Sequence, residues 1–269
     1  MKIPKKVIDR LTANIKTFQA VAQSHRERDV SEADTVTLIK DVMAVCFGYD
    51  KYTELTSEQQ IKGTYCDLAV KIEGKIKYLI EVKAAGVNLN ESHLRQAINY
   101  GVTQGIEWIV LTNSIEWRLY RIKFGQPVEH EEISSFSLVN INIRNEEDQK
   151  KVFLLCREGL SSDAMDEYHQ HMQIFNKFTV AQVIITDPVV SAIRKELKRL
   201  FPDVKIDHEH ISDILSNDVL KREVIEGDKV KETQQKIKRI NAKLEKLSEK
   251  KKVQESPEVS TEAIESPSA

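Results

Sequence analysis

The chain has 269 residues, of which 41% are hydrophobic and 30% charged, and its net charge is −2. Such a length suits one large domain or two small ones, and the composition suits a soluble globular protein with a highly charged surface. No global basic field advertises nucleic acid, so any DNA contact must come from local Lys/Arg patches, and no run approaches the roughly 18 apolar residues of a membrane helix.

Residues 5–25 carry Val7, Leu11, Ile15, Phe18 and Val21 at helical spacing, which predicts an amphipathic helix. A second helix starts at Ser31, where Ser31 and Asp34 resemble a weak capping box, and Gly48 sits where a helix end wants glycine. Residues 52–83 alternate Thr, Tyr, Val and Ile with polar residues, and a turn at Glu73-Gly74-Lys75 joins two strands. Asn90 or Ser92 caps a helix running to about Gln104. The strands WIVLT (108–112) and WRLYRI (117–122) follow, joined through Asn113-Ser114. This order predicts a mixed α/β core with helices packed on a sheet.

After about residue 145 the pattern is helical: KKVFLLCREGL, FTVAQVIIT and PVVSAIRKELKRLF, with a break and restart at Asp187-Pro188. Val230, Ile237, Ile240, Leu244 and Leu247 form a short heptad seam. That seam suits a homodimer through residues 230–247 or docking on the chain's own domain. The final VQESPEVSTEAIESPSA has the composition of a disordered tail. The expected divisions are a core domain at 1–144, a helical region at 145–227, a coiled-coil-like helix at 228–252 and a tail at 253–269.

Cys46, Cys66 and Cys156 are odd in number and lie in apolar surroundings, so they read as reduced core residues of a cytoplasmic protein. The N-terminus MKIPKKVIDRL has no signal-peptide core. His169, His171, His208 and His210 stand two apart in pairs, which do not share a helix face, and read as surface histidines. Trp108, Trp117 and Tyr120 read as sheet residues. The Lys-rich run KIKRINAKLEKLSEKKK could touch phosphates, but with Glu interleaved it reads rather as the solvated face of a coiled-coil helix.

The stretch YLIEVKA (78–84) carries opposite charges in an apolar strand. Pairing symmetric about Gly74 sets Leu68 against Ile80, Val70 against Tyr78 and Cys66 against Val82 on one apolar face. The other face sets Ala69 against Leu79 and Asp67 against Glu81, with Lys83 on the same side. Two opposed carboxylates repel unless something positive lies between them. One reading is a surface ion pair between Glu81 and Lys83 with Asp67 merely exposed. The other is a divalent cation, Mg²⁺ or Mn²⁺, held by Asp67 and Glu81, with Lys83 orienting a water or neutralising phosphate charge.

The blocks SEADTVTLIKDVMAVCFGYD (31–50), CDLAVKIEGKIKYLIEVKAAGVNLN (66–90), LRQAINYG (94–101) and LTNSIEWRLYRI (111–122) resemble, in that order, the N-terminal nuclease domain of type I restriction enzyme R subunits. That domain belongs to the PD-(D/E)xK nuclease superfamily, and the resemblance covers about residues 5–125. It implies a restriction-endonuclease-like mixed sheet flanked by helices, followed here by a mainly helical C-terminal region. It implies Asp67 and Glu81 as metal ligands, Lys83 as the catalytic lysine, and Glu32 as an upstream acid completing the metal shell. Gln96 and Tyr100 match the family's Q-x-x-x-Y element, placed to contact nucleic acid or the catalytic strand. Cys66 stands where proline often precedes the first acid. No G-x-x-x-x-G-K-[ST] occurs, so a helicase motor is not expected and the chain reads as a stand-alone nuclease-like domain. The functional expectation is a Mg²⁺-dependent DNA endonuclease linked to restriction or phage defence, acting with partner subunits. The alternative is a non-catalytic nucleic-acid-binding or assembly module that keeps the nuclease fold.

Overall fold

A computed structural model gives the fold and describes residues 1–57 and 66–254, with side chains to residue 244. The chain divides into two compact units, Met1–Gln170 and a second beginning at His171.

The first unit opens with two helices, Lys5–Glu27 (α1) and Glu32–Val45 (α2). Pro4 precedes α1, and Ser31 caps α2, its Oγ accepting from the Asp34 amide at 3.2 Å. Gly48 follows α2 with φ +85°, and a Cβ there would lie 2.6 Å from the Arg10 guanidinium carbon. Glycine is therefore needed twice over, for the left-handed backbone and for the close approach.

Among the described residues, six strands form one sheet in sequence order: Leu55–Ser57 (β1), Leu68–Ile72 (β2), Lys75–Val82 (β3), Trp108–Thr112 (β4), Glu116–Lys123 (β5) and Glu129–Ser137 (β6). Only β3 and β4 run parallel. Such a pair needs a crossover, and Arg95–Gln104 (α3), entered through a 3₁₀ turn at Glu91–Leu94, lies within it.

The expected register is found at Leu68↔Ile80, Ala69↔Leu79 and Val70↔Tyr78, but the turn differs. Glu73 and Gly74 both have positive φ, so they form a two-residue turn with Ile72 opposite Lys75, and a bulge after Val70 restores the register. Paired positive-φ residues match the twist of antiparallel strands, which a turn centred on one residue does not. Strand β6 is not among the sequence-expected elements. Its sequence EHEEISSFS has little apolar alternation, and its pairing along β5 supplies what propensity does not.

Helices cover both faces of the sheet. Val7, Leu11, Ile39, Val42 and Met43 of α1 and α2 share a core with Leu68, Val70, Ile80, Val110 and Trp117. On the other face, Leu94 and Ala97 pack with Ile109, Leu111, Tyr120 and Ile122, while Tyr100 packs with Ala69 and Leu79. Glu146–Phe153 (α4) and Arg157–Ser161 (α5) bring Val152, Phe153 and Leu154 into the α1/α2 core, so this unit runs past the expected division at residue 144. The expected single helix KKVFLLCREGL is broken at Cys156, whose extended backbone lets the Arg157 amide reach the Phe47 carbonyl at 2.9 Å.

Ala164–Ile174 (α6) crosses the division between units. The second unit contains Lys177–Ile184 (α7), Asp187–Leu200 (α8), His208–Ile214 (α9) and Asp228–Gln254 (α10). Thus the region expected as a coiled-coil-like helix is one continuous helix. Its Val230 is buried and Ile237 half-buried, whereas Ile240 and Leu244 are exposed. The tail expected at 253–269 lies, apart from its first two residues, outside the described residues.

All three cysteines are free and buried. Trp108, Trp117 and Tyr120 are sheet residues in the core. His169 departs from the surface reading: it is half-buried, 2.7 Å from an Arg121 nitrogen, and burial with the Arg121 charge lowers its pKa.

Candidate active site

The carboxyl end of β3 carries the two charges singled out in YLIEVKA. Alternation puts Leu79, Glu81 and Lys83 on the face covered by α3. Glu81 is only 3% exposed, so its carboxylate has been carried into the sheet. Lys83 follows the last residue of β3, and its amide donates to the Thr112 carbonyl at 2.9 Å, continuing the parallel pairing with β4.

The Lys83 ammonium lies 2.8 Å from Glu81 Oε1 and 3.6 Å from Glu32 Oε2, and donates to the Val82 carbonyl at 2.7 Å. Glu32 reaches it from the first turn of α2, on the opposite layer, because the site lies at the end of the sheet. Asp67 sits one residue before β2 begins, so it is not a ladder partner of Glu81. Its Oδ2 instead accepts from the Val82 amide at 2.7 Å. The expected proximity of the two acids is still felt electrostatically. Burial, and then the Asp67 charge, push the Glu81 carboxyl up to about 7 despite the Lys83 hydrogen bond that opposes them. Glu81, Glu32 and Asp67 in turn raise the Lys83 pKa against the opposing effect of burial.

Asp67, Glu81, Lys83 and Glu32 are therefore brought together. Among the described residues no group of three or more His, Cys, Asp or Glu is placed to hold a metal ion, and Glu32 joins the site through Lys83. Tyr100 is fully buried against Ala69 and Leu79, so of its two expected contacts the one it makes is with β2 and β3. Gln96, four residues earlier on α3, is exposed. The expected face of Cys66 is corrected. It precedes β2 and packs with Ala69, Leu79 and Tyr100 rather than on the face of Leu68 and Val70.

The Asp67–Glu81 pair fits a hard divalent cation. Among the described residues, Glu81 Oε2 is buried with no hydrogen-bond partner. An orphaned carboxylate oxygen beside a second carboxylate is costly alone and becomes favourable with a cation to share.

One supporting residue escaped the sequence reading. Asn113, a turn residue by its place in the sequence, is 5% exposed. Its Oδ1 accepts from the Ile115 and Glu116 amides, shaping the β4–β5 turn, and its Nδ2 donates to the Val87 carbonyl at 2.8 Å. The loop after Lys83 is thereby tied to the neighbouring hairpin. An Asn between two strands signals the turn, but not the distant carbonyl it holds.

Residues 47–136 match the family model of the type I restriction enzyme R protein N terminus (HSDR_N). The chain thus resembles the N-terminal nuclease domain of those proteins. The matched segment spans β1 to nearly the end of β6 and contains Asp67, Glu81, Lys83, Gln96 and Tyr100, whereas Glu32 precedes it. No curated protein and no solved structure matches the chain.

Proposed function

We propose that the chain is a Mg²⁺- or Mn²⁺-dependent DNA endonuclease that hydrolyses phosphodiester bonds in restriction or phage defence. The observation that carries this reading is the buried Glu81 carboxyl, pushed up to about 7, with one oxygen orphaned and Asp67 and Lys83 beside it. The family match supports it. Asp67 and Glu81 would hold the cation, whose chemistry is Lewis acidity toward a phosphodiester and its attacking water. Lys83 keeps a positive charge between Glu81 and Glu32, and it would neutralise a phosphate oxygen or orient the water. Asn113 and the Thr112 carbonyl hold the Lys83 segment in place. The three free cysteines suit a cytoplasmic setting.

A second reading, a binding or assembly module without turnover, draws on the ties that hold Lys83 to Glu81, Glu32 and the Val82 carbonyl. The test is nicking of supercoiled plasmid with Mg²⁺ or Mn²⁺, comparing wild type with Lys83→Ala and Asp67→Ala. Nicking lost in both variants supports the endonuclease. Nicking unchanged by either substitution points to a contaminant and sinks the proposal.

A further inference from the structure

Seen as a string, residues 228–252 mix Lys with Glu. On one continuous helix part of the positive charge gathers on one side. Lys236, Arg239, Lys243, Lys246 and Lys250 stand 3, 4, 3 and 4 residues apart, which places them on one stripe of α10. At roughly 100° per residue, Glu245 and Glu249 fall about 140° and 100° from the stripe's centre. Glu232 bounds the stripe at its N-terminal end. The described members, Lys236, Arg239 and Lys243, are exposed and line a shallow groove with Glu232, Gln235 and Ile240.

Their charges are not neutralised within the fold. Among the described residues, none of the three forms an ion pair with a carboxylate, although Lys231, earlier on the helix, pairs with Asp228 at 3.6 Å. Lys236 touches only the neutral Gln173, its ammonium 3.3 Å from Oε1 and 3.4 Å from the carbonyl. The described part of the stripe, Lys236 to Lys243, extends over roughly 11 Å of helix at 1.5 Å per residue. A duplex presents about one negative charge per 1.7 Å of axis, so three unpaired cations over that length match several phosphates. The chain as a whole carries −2, so this local stripe cannot be put down to an excess of basic residues.

We propose that the basic stripe of α10 binds the phosphate backbone of duplex DNA, giving the chain a sequence-independent DNA contact outside the candidate active site. The choice of DNA as the polyanion rests on the endonuclease reading. The contact itself needs no turnover, so the two are tested apart.

The experiment is fluorescence anisotropy of the full chain on a labelled random-sequence duplex in EDTA, over about 50–200 mM salt. The variant combines Lys236→Gln, Arg239→Gln and Lys243→Gln. Its controls are Glu245→Gln with Glu249→Gln, and Lys236→Arg with Lys243→Arg. The triple variant should bind more weakly, and its plot of log affinity against log salt should be shallower by up to about 2.7. The wild-type advantage should accordingly shrink roughly 40-fold from the lowest to the highest salt. Both controls should keep the wild-type slope, and circular dichroism should show the helix retained. An unchanged slope in the triple variant overturns the proposal. So does a triple variant that loses only self-association by light scattering, because the stripe would then serve a second copy of the chain. If the slope changes as stated while Lys83→Ala leaves nicking untouched, the endonuclease reading falls and the DNA contact stands.

Discussion

Replacing Glu81 by glutamine should stabilise the metal-free protein at alkaline pH. The ordinary carboxyl value of 4.5 is pushed up to about 7 in the fold, by burial first and the Asp67 charge second. A raised carboxyl means that the folded state holds its proton more tightly than the unfolded state does. The favourable contribution is complete below 4.5 and is lost as pH rises through about 7. A shift of this size corresponds to about 3 kcal/mol at 1.36 kcal/mol per unit. Glutamine keeps the shape and cannot ionise. In EDTA the variant should therefore gain little near pH 4.5, gain steadily up to pH 7, and level off about 3 kcal/mol above wild type. For a unit of this size that is a rise in Tm of roughly 6–12 °C. Thermal and urea denaturation of both proteins across the pH series is the assay. Adding Mg²⁺ should narrow the gap by stabilising wild type alone, since a ligand that binds the folded state stabilises it. A variant no more stable than wild type at pH 8 in EDTA would refute the argument that Glu81 is a strained, metal-seeking carboxylate.

Arg10 grips Glu158 through two nitrogens at 2.8 and 2.7 Å and also donates to the Cys46 and Phe47 carbonyls, so Arg10→Ala should cost about 2–3 kcal/mol in urea unfolding. Among the described residues the buried Tyr100 hydroxyl has no partner, so Tyr100→Phe should leave stability unchanged or raise it by about 1 kcal/mol, and should leave DNA affinity unchanged by anisotropy. Gly101→Ala would set a Cβ 2.7 Å from Ile122 Cδ1 and 2.9 Å from the Ile106 carbonyl oxygen, pushing α3 off the sheet; a loss of about 1–3 kcal/mol is expected by chemical denaturation.

Much of the first unit could be read from local pattern. Helical periodicity located α1 and α2, and period-two alternation located β2 and β3 with their mutual register. Both depend on which residues must face a core, and that information is carried by neighbours in the chain. Glu81 and Lys83 were legible for the same reason, as charges in and just after a strand that otherwise buries apolar residues. Strand β6 was not legible, because its polar sequence becomes a strand only where β5 offers a pairing edge.

Local pattern along the chain sends Glu81 and Lys83 to one face and lines up the basic residues of α10. What surrounds them is set by the folded neighbours. Asp67 turns to the Val82 amide instead of facing Glu81 across a ladder, and Glu32 arrives through Lys83 from the other layer. Tyr100 is buried, and Asn113 anchors the loop beyond Lys83. Periodicity tells which side a residue takes. Burial, partner and charge state depend on groups far away in sequence, and these exist as neighbours only once the sheet and its helices have closed around the site.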